Sequence, residues 1–440
     1  MKQWFIRGLW AILGLVLLCF VAAMLAQNQL ADKQNSNLKI LQEPKPLAPI
    51  ARDGMAALYL LPYRTENAQQ AYELFEKHQH YLLWGGDEPA ALAERNLGVD
   101  LIGEADFLKC ATLSECVEKV AQHGAQYQQW RNQYQAVLNN IADLNQYDGY
   151  EMAHFAEKNW GDENMMVQMR FPAFQILVRF PRAQAAMNWH NNQREQAVLN
   201  MCTQADLARK LQNTTHQMLI DAMISSVMLN QSADYLAYFM QQQPELAHRL
   251  PESCVRHLQP QTERTAQVMC AAMKGEFLFQ KNTFQRIDMG KWYTKLFYNA
   301  DMTITQSAPS LAHTCSPLVQ QQMISDEMVD EFVSQDKVWE HIACVRNVAG
   351  CVLLYVAEPS YTLYPRRLQD SDMKLRAFQA ALTLAKLPEA ERKNQAENVL
   401  QQWSSPYRKL WLSPTQQDIE FEWYAPKNGE REIGTIAVKL

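Results

Sequence analysis

The sequence predicts a mainly α fold: a membrane-anchored multi-helix body with a C-terminal β-hairpin. Three observations predict it. Residues 8–26 (GLWAILGLVLLCFVAAMLA) form an uncharged apolar run of nineteen residues. From Asn67 onward, apolar residues recur at three- and four-residue spacings, the period of a helix with one buried face. Near the carboxyl end the pattern becomes strict alternation, the period of a half-buried strand.

The amino-terminal run comes first. About 20 apolar residues cross a bilayer core as a helix, and this run meets that length. Trp4, Phe5 and Trp10 cluster at its start, where amphipathic aromatics favour the interface. A cleaved signal peptide is the competing reading, with Val21, Ala22 and Ala23 as a small-residue cleavage site. Its apolar region is ordinarily only about 7–15 residues, so a retained anchor is favoured. Leu17 and Leu18 precede Cys19 where a lipoprotein site would carry small residues. Lys2 and Arg7 before the run, against Lys33, Lys39 and Lys45 after it, lean towards an internal amino terminus.

Residues 1–7 are thus expected to be a cytoplasmic head, 8–27 a transmembrane anchor and 28–53 a linker, polar and then punctuated by Pro44, Pro46 and Pro49. Residues 54–345 are expected to form an extracytoplasmic helical body, and 346–440 an α+β tail ending in a hairpin. Beyond anchor and linker, roughly 390 residues allow two or three domains.

Cysteine usage supports the orientation. With Cys19 set aside, eight of the nine cysteines lie in the body. An even count suits an oxidising compartment. Cys110 with Cys116, and Cys344 with Cys351, are close enough in sequence to be expected as local disulfides. Free cysteines also serve as small buried apolar residues. The connectivity of Cys202, Cys254, Cys270 and Cys315 is open at this level.

A hydrophobic fraction of 48% and an aromatic fraction of 10% supply a core and exclude a disordered chain. Net charge is 41 minus 47, or −6, with no long basic run, so generic nucleic-acid binding is excluded. Glycine, at 15 residues, is too scarce to suggest phosphate-cradling loops.

In chain order, residues 54–63 (GMAALYLLPY) are a compact apolar segment that docks the start of the body. Ala71, Leu74, Phe75 and His78 share one helical face, and residues 84–87 break that pattern. Residues 115–147 predict one long helix carrying Val117, Val120, Tyr127, Trp130, Tyr134, Val137, Leu138 and Ile141. In 174–198 a helix is expected to start at Pro181, since proline is tolerated in a first turn. Residues 206–230 predict another long helix, followed by 233–243 and 264–277. No fixed repeat period is present, so stacked helical pairs are expected rather than a solenoid. Residues 370–387 and 388–403 predict two more helices. Ile419, Phe421 and Trp423 then alternate with Glu420 and Glu422, residues 426–429 (PKNG) supply a turn, and Ile436, Val438 and Leu440 alternate again.

Convergent chemistry is sparse. The sequence holds no GxSxG, GxxxxGK[ST], HExxH or CxxC motif, and Gly290-Lys291 lacks the rest of a P-loop. His78 and His80, two apart, diverge on a helix and are expected to be solvent-exposed. Asp326, Glu327, Asp330 and Glu331 could split acid and base roles. An acidic first turn also suits the helix dipole, so they are expected to open a helix through Val338. Glu252-Ser253 is similar to the Glu-Ser of lytic transglycosylases, but the companion Gly-Leu-Met-Gln segment is absent. Met165, Met166 and Met169 are expected in the core rather than on copper. No metal and no cofactor are expected.

The most distinctive polar-aromatic stretch is 170–182 (RFPAFQILVRFPR). Arginine and aromatics are enriched where proteins meet partners, which makes Arg170, Phe171, Phe174, Arg179, Phe180 and Arg182 the candidate partner surface. The bland reading is a helix entry with buried phenylalanines and solvated arginines.

In layout the chain resembles the single-pass inner-membrane envelope proteins of proteobacteria with helical periplasmic bodies. The anchor at 8–26, the proline-punctuated linker, the Cys110/Cys116 pair and the helical body carry the likeness. It implies a Gram-negative inner membrane with the body in the periplasm, and it brings no activity and no catalytic residues. The expected function is a non-enzymatic scaffold or adaptor, tethered by its amino-terminal helix and binding other envelope proteins. The alternative is an envelope hydrolase acting on peptidoglycan or another glycan through carboxylates from separate helices.

Overall fold

A computed structural model of the chain describes residues 36–42, 47–98, 110, 113–151, 170–287, 297–330, 332, 344–345, 347–361, 363–425 and 432–440, with positions 10, 14, 15, 17, 18, 21, 22 and 25. The described chain is mainly helical with a small C-terminal antiparallel sheet. Among the described residues no helix is long and apolar enough to cross a membrane. Most of the expected anchor lies outside them, as do Met165, Met166, Met169 and Gly290-Lys291.

The body begins with α1 (Met55–Tyr59), which with the turn after it buries Met55, Leu58, Leu60 and Leu61. In α2 (Ala68–Trp84) the Asn67 side chain accepts from the Gln70 amide and caps the first turn. His78 breaks the helical dihedrals and is half-buried rather than exposed, while His80 is exposed. A one-turn helix, α3 (Ala90–Ala93), follows.

The long helix expected over 115–147 is instead three: α4 (Leu113–Gln122), α5 (Gly124–Gln133) and α6 (Gln135–Asp143). The joints are His123 (φ −123°) and Tyr134 (φ −106°). Each joint is one residue wide, so the apolar period survives and Val120, Tyr127, Trp130, Val137 and Ile141 all reach one core. The bends turn Trp130 and Tyr134 edge-on to Phe180, with ring centroids 4.9 and 5.8 Å away.

Pro181 does not open a helix. α7 (Phe174–His190) runs through it. Proline has no N–H for the carbonyl of Leu177, and the Gln204 side chain of α8 (Arg194–Leu211) donates to that carbonyl at 3.2 Å instead. The helix expected over 206–230 is also split. α8 stops at Leu211, whose carbonyl accepts from the Thr214 hydroxyl at 2.8 Å, a local bond that competes with helix continuation. Thr214–Thr215 (β2) then pairs in parallel with Tyr150–Glu151 (β1). α9 (Leu219–Gln242) starts afresh, with Asp221 accepting from the Met218 amide, and absorbs the segment 233–243.

After α10 (Glu252–His257), α11 (Thr262–Arg286) extends the expected 264–277 at both ends. It seats against the α8–α9 connection at Gly275, where a Cβ would lie 1.9 Å from the Gln217 carbonyl oxygen. α12 (Ala300–His313) and α13 (Pro317–Ser325) pack on α11. Asp326 ends α13 as a left-handed cap (φ 62°, ψ 28°) and does not open a helix; residues 331 and 333–338 lie outside the described residues. α14 (Val348–Tyr361), α15 (Tyr364–Lys386) and α16 (Glu389–Trp403) complete the helices.

The C-terminal hairpin is present. β4 (Asp418–Glu422) pairs antiparallel with β5 (Ile433–Ala437), Ile419 opposite Ile436 and Phe421 opposite Gly434. Ile419, Phe421, Ile436 and Val438 are buried against α9 and α15, whereas turn residues 426–429 lie outside the described residues. An unforeseen third strand, β3 (Trp411–Leu412), pairs with β4.

Two apolar clusters form the core. The larger joins α1, α2, α4 to α9, α15, α16 and the sheet; the smaller joins α11, α12 and α13. α9 and α15 contribute to both and so tie them together. The segment expected as a linker is docked where it is described. Leu41 is buried in the smaller cluster, the Ala48 amide donates to Asn213 Oδ1 at 2.8 Å, and Arg52 pairs with Asp148 at 3.0 Å.

All eight body cysteines are paired: Cys110–Cys116, Cys202–Cys254, Cys270–Cys315 and Cys344–Cys351, at Cα separations of 5.2, 4.9, 4.7 and 5.8 Å.

Candidate functional site

The six residues singled out between 170 and 182 do not form one outward patch. Phe174 and Phe180 are core residues, Arg179 and Arg182 are half-buried, and only Arg170 and Phe171 are exposed. The Arg170 guanidinium lies over the Tyr81 ring at 4.5 Å, and its amide donates to the Leu83 carbonyl.

Among the described helices of the body, α14 is the most apolar one with an exposed face. Within VAGCVLLYVAEPSY the single charged residue is Glu358. Val345, Val348, Val352 and Val356 recur at helical spacing and are exposed, together with Leu353 and Tyr355. Tyr355 is 83% exposed and Val356 74%. Such a contiguous stripe marks an interaction surface far more often than a scattered apolar residue does.

The entry to α14 is fixed by polar contacts. Asn347 is fully buried; its Oδ1 accepts from the Asn299 amide at 2.8 Å, and its Nδ2 donates to Thr303 Oγ1 at 2.9 Å and Gln306 Oε1 at 3.2 Å. Gly350 follows, where a Cβ would lie 2.1 Å from Thr303 Oγ1, so α14 starts in close contact with α12. The Cys344–Cys351 bridge ties the first turn of α14 to the preceding residues.

Beyond that contact the helices leave a groove of about 370 Å³. Leu311, Val352, Leu354 and Ala357 line it, as do Pro309 and both bridged cysteines. Gln280 of α11 and Tyr361 at the end of α14 add polar groups. Gln280 Nε2 donates to the Tyr361 hydroxyl at 2.9 Å, whereas Gln280 Oε1 is buried without a hydrogen-bond partner among the described residues. Burial pushes the Tyr361 pKa up to about 12, so the hydroxyl stays protonated. Sequence reasoning missed this site, although residues 347–357 form an eleven-residue stretch without charge.

A second, polar cleft of about 740 Å³ lies where α7 meets α8. Glu195 and Glu245 line it, but Arg249 engages Glu195 at 3.4 Å and Arg194 stacks over Trp189 at 3.9 Å.

Of the acidic run, Asp326 belongs to a buried ionic cluster. Arg408 Nε donates to Asp326 Oδ2 at 3.0 Å and Nη2 to Asp326 Oδ1; Nη2 also donates to the Gln369 carbonyl, and Nη1 to Asp370 and the Glu422 carbonyl. All five N–H groups of the guanidinium are thereby used. Asp370 further accepts from the Tyr424 and Ala425 amides at 2.8 and 2.9 Å. Burial pushes the Asp370 carboxyl up and Arg408 opposes that shift; burial weakens the Arg408 charge, and Asp326 and Asp370 outweigh it. The cluster bolts the carboxyl-terminal sheet to α13 and α15 and leaves the guanidinium no free donor. Among the described residues no group of three or more His, Cys, Asp or Glu is gathered to hold a metal ion.

No protein-family model, curated protein or solved structure matches the chain.

Proposed function

We propose that this chain is a membrane-tethered, non-enzymatic scaffold of the bacterial envelope whose helical body docks other envelope proteins through the outer face of α14. The observation that carries the reading is the exposed apolar stripe on a helix held rigidly at its entry. Docking energy in protein interfaces comes from apolar and aromatic anchors, and Val356, Leu353 and Tyr355 are of that kind. Two further observations support the tether and the compartment. The described positions of the amino-terminal run are helical, and Leu15, Leu17, Leu18 and Leu25 are exposed there, as suits side chains that face lipid. Four cystine bridges suit the oxidising side of the inner membrane.

A photoreactive residue at Val356, activated in intact membranes, tests the docking surface. Reproducible protein adducts from that position, suppressed by Leu353→Asp, are expected. Adducts equally abundant with Leu353→Asp, or none at all, would refute it. A reporter fused after Leu440 tests the compartment, and activity in the cytosol would remove that part of the reading.

A further inference from the structure

The groove behind the docking stripe has a chemistry of its own, and we infer that it binds a neutral, single-chain amphipath: an apolar chain ending in a hydroxyl or amide head. Four observations select that class. The volume of about 370 Å³ falls in the range of small-molecule sites, and the walls formed by Leu311, Val352, Leu354 and Ala357 are apolar. None of the described lining residues is charged, so an ionic head would be buried without a counter-charge. Gln280 is only 8% exposed, and its Oε1 is an acceptor without a donor. The Tyr361 hydroxyl accepts from Gln280 Nε2 at 2.9 Å and keeps its own proton to give.

The floor thus presents an acceptor beside a donor. A hydroxyl or an amide answers both; a carboxylate has no proton for Gln280 and would meet its carbonyl oxygen with like charge. The proline inside α12 contributes to the opening. Pro309 has no N–H for the Thr305 carbonyl, which relieves α12 of one intrahelical bond where it lines the groove. Val348, Val352 and Tyr355 belong to both the groove and the stripe, whereas Leu353 and Val356 lie on the stripe alone, so Leu353→Asp tests docking separately from the groove.

The test is photo-crosslinking of the full chain in its membrane with a diazirine-bearing monoacylglycerol, the labelled peptides being mapped by mass spectrometry. Labelling concentrated on residues 306–311 and 348–357 is expected, displaced by unlabelled monolaurin and not by laurate. Val352→Arg, at an exposed wall position, should reduce that labelling about tenfold, and Gln280→Leu should reduce it about fivefold. Thermal unfolding of both variants checks that each is folded, and Val352→Arg decides the matter if Gln280→Leu is not. Labelling spread over every exposed apolar residue, equal displacement by laurate, or no change with Val352→Arg would overturn the assignment.

Discussion

The Arg408 cluster and the α14 groove are both polar sites set in apolar surroundings, and they are built on opposite principles. Around Arg408 every donor of the guanidinium is matched, by Asp326, Asp370 and the carbonyls of Gln369 and Glu422. At the floor of the groove the Gln280 amide is matched at one end only. A buried polar group that is fully satisfied fixes the fold, because removing one partner strands the others. One that is left half-satisfied costs stability on its own, and an outside partner can recover that cost. The contrast separates a structural joint from a place that waits for company.

The strongest way to break this contrast is Arg408→Ala. It leaves Asp326 and Asp370 buried without a counter-charge, and a loss of about 3–5 kcal/mol in urea unfolding is expected. A loss below about 1 kcal/mol would mean that the cluster is not the joint described.

A second test uses a buried carboxylate with no ion pair among the described residues. Asp221 meets the Met218 amide, and burial, with Glu276 nearby, pushes its pKa from 3.8 to about 7. The folded chain therefore holds that proton more tightly than the unfolded chain. Its stabilising contribution is complete below the unfolded pKa and is lost as pH rises to about 7. Between those limits the native protein should lose stability relative to Asp221→Asn in denaturant titrations. A difference that does not vary with pH would contradict the assignment.

A third compares two glutamines. Gln379 donates to the Leu258 and Val255 carbonyls at 3.0 and 3.4 Å, so Gln379→Leu should cost about 1–2 kcal/mol. Gln280→Leu removes an orphan along with one bond and should stay within about 1 kcal/mol of native. Equal losses in thermal unfolding would erase the distinction between a satisfied and an unsatisfied amide. The smallest effect is expected at the exposed stripe, where Val356→Ser should change stability by less than about 0.5 kcal/mol while weakening partner adducts from a photoreactive residue placed at Leu353.

The sequence made some of this legible. Ile419 and Phe421 alternate with charged neighbours, and a strand with one buried face has no other economical arrangement, so the hairpin was readable. The local disulfides were readable because few residues separate Cys110 from Cys116 and Cys344 from Cys351. Other features depend on partners distant in the chain. Pro181 is tolerated in mid-helix because Gln204 reaches the carbonyl it frees, and no local pattern records that. Asp326 looks like an acidic helix start until Arg408, eighty-two residues on, claims it. The groove escaped because a stretch such as 347–357, without charge, has the composition of an ordinary core helix. Exposure is a property of the assembled fold.

The docking of residues 48–54 carries a mechanical consequence. The segment leading to the body is stitched at three points: Ala48 to Asn213, Arg52 to Asp148, and the Gly54 amide to the Gly149 carbonyl. If the apolar lead were held in a bilayer, as proposed, a pull on the body would load the buried Leu41 contact and then this seam, across several bonds side by side.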